Sequence, residues 1–420
     1  METWIAALVF VAAYALIALD KLDRTLVALL GGLALIAVGV IDQHTAFDAI
    51  DLNVIFLLAG MMVIASTLAT TGLFEWLAVR SVILSRGRPM RLLLLLSLVT
   101  AVLSAFLDNV TTVVLMTPIT LSIARRLEVS PTPFLISQIL ASNIGGTATL
   151  IGDPPNILIG SAAGLDFAAF LANLAPVTVV VYIAFVLAVR LMFRGHLDVP
   201  TERRERALEE TQGGTITDRP LLVRSLIVAG LTLVGFLLHS AVGLEAATVA
   251  LLGATVLLLV ARIDPHAALR DVEWSTLFFF VGLFILVEAV VRVGIVGGIA
   301  DRVADATGGN TAAASLGLLW FSAIASAIVD NIPFTATAIP VIHRLIDSGL
   351  AAEPLWWSLA LGACLGGNLT IVGASANVVV ANMAARAGAP IRFVEFFRYG
   401  AVVVAISLVI SSVYVWLRYL

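Results

Sequence analysis

Charged residues are scarce in this chain of 420 residues: 12% are Asp, Glu, Lys or Arg, and 60% are hydrophobic. With a mean hydropathy of +1.07, such a chain cannot be wrapped into a water-soluble domain. Its apolar segments show no ten-residue alternation, which argues against an outer-membrane barrel, and lipid leaves helices as the remaining choice. We therefore expect an all-α polytopic membrane protein.

Other absences narrow the function. The single cysteine, Cys364, permits neither an internal disulfide nor a multi-thiolate metal site. The glycine-rich stretches lack the Gly-Lys-Ser/Thr that holds nucleotide phosphates, and the net charge of −4 argues against a nucleic-acid partner. We expect no enzyme activity and no cofactor. Energy would come from a proton or sodium gradient, or from a separate ATPase subunit.

One polar pair occurs twice inside apolar runs. Asp108-Asn109 and Asp330-Asn331 are 222 residues apart, since 330−108 = 222. Gly152 and Gly373 are 221 apart (373−152), so one deletion explains the slip. A repeat of this length indicates two fused halves that each contribute one version of a site. We predict a first repeat over 1–193, a cytoplasmic linker over 194–220 and a second repeat over 221–420.

Each half contains five predicted crossings. With an odd number of crossings per half, the second half enters the membrane from the opposite side to the first. The two halves are then inverted repeats about a pseudo-two-fold axis in the membrane plane. The predicted crossings are 4–19, 24–41, 52–72, 132–163 and 171–193, then 221–239, 243–262, 274–294, 353–387 and 398–418.

Basic residues predict the orientation, because Lys and Arg concentrate in cytoplasmic loops. Most fall on one side, and the opposite loops around 42–51, 164–166 and 239–245 contain none, although Arg302 and Arg344 weaken the pattern. We expect a multi-pass inner-membrane protein with both termini outside. The residues predicted on the cytoplasmic side include Lys21, Arg24, Arg80, Arg86, Arg88, Arg91, Arg125, Arg126, Arg262, Arg270, Arg392 and Arg398.

The two Asp-Asn pairs lie between segments that are short for a crossing. Ile332 to Ile342 is 11 residues, about 16 Å of helix against a hydrocarbon core of about 30 Å. The segments 92–107, 110–124 and 312–329 are also shorter than a standard span. These lengths predict two re-entrant helical hairpins with Asp-Asn at each tip.

After each hairpin comes a long segment that is interrupted by glycine, proline and small polar residues, at 143–156 and 365–377. Non-helical backbone at membrane depth is tolerated only where it is buried or lines a cavity, so the breaks and the hairpin tips should meet. Such a place brings helix N-termini beside free carbonyls and carboxylates. This is the chemistry of ion-coupled transport.

Asp108 and Asp330 are the first candidates, because an ionisable group in a membrane segment is costly and marks an ion or proton path. Alternatively, each carboxylate caps the helix that follows. Asp153 has no counterpart, since Ala374 takes its place, and its alternative role is an Asp-Pro turn; all three Asp are candidate sodium ligands. The polar candidates, whose alternative role is helix–helix adhesion, are Asn109, Thr111, Thr112, Asn143, Thr147, Thr149, Gly152, Asn156, Asn331, Thr335, Asn368, Thr370, Gly373, Ser375 and Asn377.

Four stretches resemble the ion transporter superfamily: Ser104 to Thr112, Asn143 to Asn156, Asp330 to Thr335 and Gly362 to Asn377. That superfamily includes arsenite efflux permeases, sodium/proton antiporters of the NhaD type, the melanosomal P protein and dicarboxylate transporters. The resemblance covers essentially the whole chain and is closest to the P protein and bacterial arsenical pumps. It implies a scaffold, a mobile transport domain and a homodimer, with Asp108, Asn109, Asp330 and Asn331 at the hairpin tips.

The substrate stays open at this point, because members of one superfamily move neutral oxyacids, cations and organic anions. Family naming favours arsenite or antimonite efflux in exchange for protons. Sodium/proton antiport is the first alternative, and sodium-coupled transport of an organic anion such as a dicarboxylate or citrate is the second. A remote alternative is an intramembrane aspartyl protease, which also needs two Asp within helices.

Overall fold

A computed structural model describes residues 1–19, 22–195, 199–210 and 216–420. These residues form helices and no strand, which confirms the all-α polytopic class. Among them, eight helices are long and apolar enough to cross a membrane. Lys21 and two pieces of the predicted linker, 196–198 and 211–215, lie outside the described residues.

The first half supplies α1 to α10 and ends before a short polar helix, α11, in the predicted linker. The bounds are α1 Glu2–Leu19, α2 Arg24–Ala37, α3 Gln43–Asp48, α4 Leu52–Thr70, α5 Leu73–Ser85, α6 Pro89–Phe106, α7 Asn109–Arg126, α8 Thr132–Gly146, α9 Pro154–Ala163, α10 Phe167–Met192 and α11 Thr201–Glu210.

The second half repeats this order, and six of its helices begin 222 residues after their counterparts (246−24, 265−43, 274−52, 295−73, 311−89 and 331−109). The fold is therefore duplicated as the spacing predicted. The bounds are α12 Arg219–Leu238, α13 Ala246–Ala261, α14 Pro265–Arg270, α15 Trp274–Arg292, α16 Ile295–Thr307, α17 Thr311–Val329, α18 Asn331–Asp347, α19 Ala352–Gly366, α20 Ser375–Arg386 and α21 Phe393–Tyr419.

The two halves interlock through two equivalent helix pairs, α4 with α13 and α15 with α2. Each crossing has a glycine at its closest point. A Cβ on Gly60 would lie 2.7 Å from the carbonyl carbon of Ala250, and one on Gly282 would lie 2.5 Å from that of Ala28. Because real Cβ contacts are longer than this, only glycine lets these backbones approach, as small residues do between membrane helices.

Both predicted hairpins are present. The first consists of α6 and α7 and the second of α17 and α18. The last turn of α6 lies beside the last turn of α8, where Ser104 Oγ donates to the Ser142 carbonyl at 2.8 Å. Ser326 Oγ does the same to the Ala363 carbonyl at 2.7 Å. The tips therefore stop where α8 and α19 unwind, and α9 and α20 continue beyond the breaks as the second parts of the broken helices.

Several lengths differ from those expected. The second arm does not stop at Ile342 but continues to Asp347 through His343, whose ring packs edge-on against Trp356 at 5.1 Å. In contrast, α2 has 14 residues and α13 has 16, fewer than the crossings predicted at 24–41 and 243–262. At 1.5 Å per residue these two helices are about 21 and 24 Å long, short of a 30 Å core.

Candidate functional site

The two breaks are held open by equivalent asparagines. Asn156 Nδ2 donates to the carbonyls of Thr147 at 3.2 Å and Thr149 at 2.8 Å. Asn377 Nδ2 donates to the carbonyls of Gly367 at 2.8 Å and Thr370 at 2.9 Å. Buried carbonyls that lose their helical partners need replacement donors. These two asparagines therefore stabilise the unwound backbone, and their side-chain oxygens stay available to other groups.

Most of the predicted threonines form hydrogen bonds with backbone groups. Thr149 Oγ1 donates to the Ala105 carbonyl and Thr370 Oγ1 to the Ala327 carbonyl, both at 2.5 Å, which ties each break to its hairpin. Thr147 and Thr335 donate to carbonyls within their own helices. Thr111 contributes its backbone N–H, which donates to the capping carboxylate of Asp108. In these contacts the threonines hold the framework together.

Three other predicted residues have different surroundings. Gly152 and Gly373 face Gly146 and Gly367 so closely that a Cβ on either would lie within 2.6 or 2.7 Å of a carbonyl oxygen. These glycines let the breaks fold back on themselves. The buried Thr112 Oγ1 has no hydrogen-bond partner among the described residues, so of the predicted threonines Thr112 is the one that keeps an unused polar atom.

Both tip carboxylates cap the helix that follows. Asp108 Oδ1 accepts from the backbone N–H of Thr111 at 2.8 Å, and Asp330 Oδ1 accepts from that of Ile332 at 3.1 Å. Asp330 also sits at φ +91°, which is rare for a residue with a side chain. The alternative capping role thus applies to both. Asp330 does more, because its Oδ2 accepts from Ser375 Oγ at 2.8 Å.

Asp153 lies where the two hairpin tips and the first break meet. Its carboxylate accepts from Asn109 Nδ2 at 3.1 Å and from Asn331 Nδ2 at 3.1 and 3.3 Å. The residue is fully buried, and it makes no side-chain cap to α9. Asp153 is therefore the point where both repeats bind one carboxylate, and its side chain does not serve the Asp-Pro turn.

An amide network continues from Asp153 into the second break. Asn143 Oδ1 accepts from Asn109 Nδ2 at 3.2 Å, and Asn143 Nδ2 donates to Asn368 Oδ1 and Asn377 Oδ1, both at 2.9 Å. The pseudo-equivalent of Asn143 is Cys364 (364−143 = 221), whose thiol donates to Asn156 Oδ1 at 3.4 Å. Five of the predicted asparagines thus meet in one buried cluster around the pseudo-two-fold axis.

Arg24 joins this site, although the sequence placed it among cytoplasmic loop charges. It is the first residue of α2, and its guanidinium donates to Ser375 Oγ and lies 3.4 Å from Asp330 Oδ2. The arginine also lies over the Phe279 ring at 5.8 Å. Comparison of the two repeats could have identified Arg24 as a site residue. Its counterpart is Ala246, and a charge present in only one half suggests a local role.

A cavity of about 20 Å³ lies between these groups, lined by Arg24, Asp108, Glu273 and Ser375 among others. That is enough room for a water molecule or a small ion. The described residues contain no cluster of three or more His, Cys, Asp or Glu that could hold a metal ion. The three predicted sodium ligands, Asp108, Asp153 and Asp330, therefore do not form one carboxylate cluster, and a sodium site at any one of them would need amide or carbonyl oxygens as its other ligands.

Comparisons with known proteins agree on one family. A family model described as a citrate transporter, CitMHS, matches residues 14–362. A Mycobacterium tuberculosis protein described as an uncharacterized transporter is 45% identical over 99% of this chain and 98% of its own length. The 46 kDa membrane protein of Mycobacterium leprae is 43% identical over 99% of both chains. The human P protein is 35% identical over 98% of this chain and 59% of its own length.

A solved structure supports the fold. The crystal structure of the Alcanivorax borkumensis YdaH transporter, which is described as having an unusual topology, aligns with a TM-score of 0.60 over 99% of this chain and 96% of that one. The two sequences are 15% identical, so the similarity extends to the fold alone. It is consistent with the duplicated arrangement of hairpins and broken helices described above.

Proposed function

Because this chain belongs to the CitMHS citrate transporter family, we propose that it exchanges sodium ions for protons across the membrane, with Asp153 as the carboxylate that binds either cation. The transporter class follows from the family. The exchanged ions and the role of Asp153 are our proposal, and the geometry of the central site supports them.

One observation carries the proposal: Asp153 is fully buried and bound by both hairpin tips, yet no Lys or Arg pairs with it among the described residues. An ionised carboxylate buried without a counter-charge is costly, so it takes up a proton or a metal cation. Asn109 and Asn331 belong to opposite repeats. A change in cation at Asp153 therefore alters contacts to both hairpins at once, as alternating access requires.

The charge around the site favours a cation over a large anion. Asp108, Asp330 and Glu273 line or adjoin the small cavity, and Arg24 is the basic residue that faces them among the described residues. Carboxylates this close together would repel a citrate trianion at close range. The cavity of about 20 Å³ beside Arg24 and Asp108 also has room for an ion and not for a tricarboxylate.

A second candidate is carboxylate transport, favoured by the family description and by Arg24. A guanidinium forms paired hydrogen bonds with a carboxylate, and Arg24 lies beside Ser375 at the start of α20. Movement of the hairpins would have to open a space larger than the present cavity before a carboxylate substrate could bind.

Arsenite efflux, expected from the resemblance, stays a prediction: the compared proteins are not described as arsenical carriers. A homodimer and an ATPase partner likewise stay predictions, and the transporter family speaks against the protease.

The test is transport by the purified protein in proteoliposomes that contain a pH-sensitive dye. We expect external sodium to drive proton movement, and Asp153→Asn to reduce it to the rate of protein-free liposomes. Asp48→Asn, the same change at an exposed position, should transport normally. If proton movement depends on citrate or arsenite and not on sodium, the proposed sodium exchange is wrong and that compound is the substrate.

A further inference from the structure

A long apolar groove runs along the second hairpin, between α1, α16, α17 and α18. Its volume is about 470 Å³, within the roughly 300–1,000 Å³ typical of small-molecule pockets. No charged side chain is among the described residues that line it. One side is open, where Gly317 and Phe321 of α17 are exposed. Because α1 and α17 are each long and apolar enough to cross a membrane, this open side lies where hydrocarbon chains surround the protein.

The hydroxyl groups in the groove already have partners. Tyr14 donates its hydroxyl proton to the Pro333 carbonyl oxygen at 2.9 Å, and the same tyrosine oxygen lies 2.6 Å from Thr337 Oγ1. Thr307 Oγ1 donates to the Val303 carbonyl at 2.8 Å. A polar ligand would therefore lose its water without gaining hydrogen bonds in return. The groove suits a hydrocarbon ligand.

The groove is as long as one leaflet of a bilayer. It follows α18 from Phe334, near the tip, to Leu345. These residues are 11 positions apart (345−334), which is about 16 Å along a helix. Half of a hydrocarbon core of about 30 Å is about 15 Å. One acyl chain from the leaflet on which the hairpin opens thus matches the groove in length.

Aromatic rings flank the groove on both sides. On α1 the rings of Phe10 and Tyr14 stack with their centroids 4.1 Å apart. On the hairpin the rings of Phe321 and Phe334 meet edge to face at 6.1 Å. Methylene groups that pack against these rings gain dispersion energy, which an empty groove would forfeit. Water does not take their place, because apolar cavities stay dry.

The repeat offers an internal comparison, because the groove has small residues where the first hairpin has large ones. The pairs, each 222 residues apart, are Gly317 and Leu95, Ala325 and Leu103, and Ala338 and Met116. A cavity of about 250 Å³ in the first half shares three counterparts with the groove, at Thr232, Leu103 and Leu107. The second hairpin therefore has room beside it that larger side chains, like those of the first hairpin, would fill.

We propose that this groove binds one acyl chain of a membrane phospholipid, which packs between α1 and the second hairpin. The chain supports the second hairpin where the first hairpin has larger side chains of its own. This site goes beyond the proposed ion exchange and does not depend on it, because it shares no residue with the cluster around Asp153.

Photolabelling of the full chain in lipid nanodiscs tests the site. The probe is a phosphatidylcholine that carries a diazirine near the end of one acyl chain, and peptide mass spectrometry locates the labelled residues. We expect labelling of 313–345 and of α1 to saturate as the fraction of probe rises, because one bound chain excludes others. Labelling at the exposed Leu187 of α10 should rise in proportion to the probe, since lipids exchange freely there.

Gly317→Leu installs the side chain of the corresponding position in the first hairpin. A Cβ at Gly317 would meet no neighbouring atom within 4 Å, so the leucine enters the groove without a clash. Saturable labelling should be lost, while the elution profile in size-exclusion chromatography is retained. Ala338→Met should act in the same way from the other arm. Gly298→Leu, whose Cβ also meets open space but which does not line the groove, should be labelled like the parent.

Loss of saturable labelling in either groove variant supports the site. The proposal is overturned if labelling of 313–345 in the parent rises in proportion to the probe, as at Leu187, or if both groove variants keep saturable labelling. It is also overturned if the probe labels neither α1 nor the hairpin, which would mean that a second copy of the chain or another protein covers the groove.

Discussion

The two repeats share one backbone design but carry different charges. Both tips begin with a capping Asp, at 108 and 330, and both breaks are stabilised by an Asn, at 156 and 377. The first break adds Asp153 where the second has Ala374. The second tip is bound by Arg24 and Ser375, where the first half has Ala246 and Pro154. Duplication thus supplied the framework, and later divergence placed the charges.

This difference separates framework from chemistry. Contacts that occur in both halves, such as Ser104 and Ser326 to the facing helices, hold the hairpins against the breaks. The contacts that Asp153 and Arg24 make, in contrast, occur in only one half. Asp153 pairs with no Lys or Arg among the described residues, whereas Asp330 pairs with Arg24. The two carboxylates therefore have different roles, and exchanging their features tests this view.

Moving the central carboxylate should have the largest effect. In the double variant Asp153→Ala, Ala374→Asp, the new carboxylate precedes Ser375, which already binds Arg24. We expect an ion pair with Arg24 that leaves no cation site, so sodium-driven proton flux in proteoliposomes should stay at the background rate. Flux near that of the parent would mean that the two breaks are interchangeable.

Substitutions of the two tip asparagines should weaken sodium affinity to different extents. Asn331 Nδ2 reaches both oxygens of Asp153, whereas Asn109 Nδ2 reaches one and also Asn143. Hydrogen bonds to charged groups contribute about 1.5–3 kcal/mol and favour the ionised carboxylate over the protonated one. Sodium binds the ionised form, so losing the donor lets the proton compete better. We expect Asn331→Ala to weaken apparent sodium affinity about ten- to a hundredfold, and Asn109→Ala to weaken it less. The sodium dependence of transport rate measures both, and a reversed order would contradict this reading of the contacts.

The sequence predicted the framework well and the charge pairing poorly. The 222-residue spacing located both tips and both breaks, because loss of helical hydrogen bonds requires glycine, proline and polar residues that are visible in the chain. The most distant partners of Asp153 and Asp330, which are Asn331 and Arg24, are 178 and 306 residues away. No local pattern encodes such pairs, so the sequence predicts Arg24 to be a charge of a cytoplasmic loop. The expected end of α18 at Ile342 was also wrong, because the His343 ring packs against Trp356 and the helix continues to Asp347.

Arg24→Gln should loosen the second tip and leave the first unchanged. The Arg24 side chain is partly exposed, so its ion pair with Asp330 is worth about 1 kcal/mol or less. Hydrogen exchange over 331–335 should accelerate by up to about fivefold, while 109–113 keeps its rate. Arg302→Gln, in the exposed face of α16, serves as the matched control. Equal exchange rates at the second tip in the variant and the parent would show that Arg24 does not stabilise that tip.

The smallest expected effect concerns Asp42, in the loop before α3. The backbone N–H and hydroxyl of Thr45, with the Arg292 guanidinium at 2.9 Å, lower the pKa of Asp42 from 3.8 to about 2. Its counterpart Asp264 accepts from the His266 N–H, but Thr70 stands where Arg292 would be, since 292−70 = 222. The charged pair therefore exists in one half alone.

A carboxyl whose pKa is lowered by folding stabilises the folded state above its ordinary pKa, and this contribution is lost as the pH falls through the folded value. For Asp42 that window lies between pH 3.8 and about 2. We expect Asp42→Asn to lower the midpoint of thermal unfolding slightly at pH 6, with the difference from the parent vanishing near pH 2. Asp264→Asn should change the midpoint less at pH 6, because that side lacks the arginine. Equal shifts for the two variants would show that Thr45 alone, without Arg292, accounts for the stabilisation by Asp42.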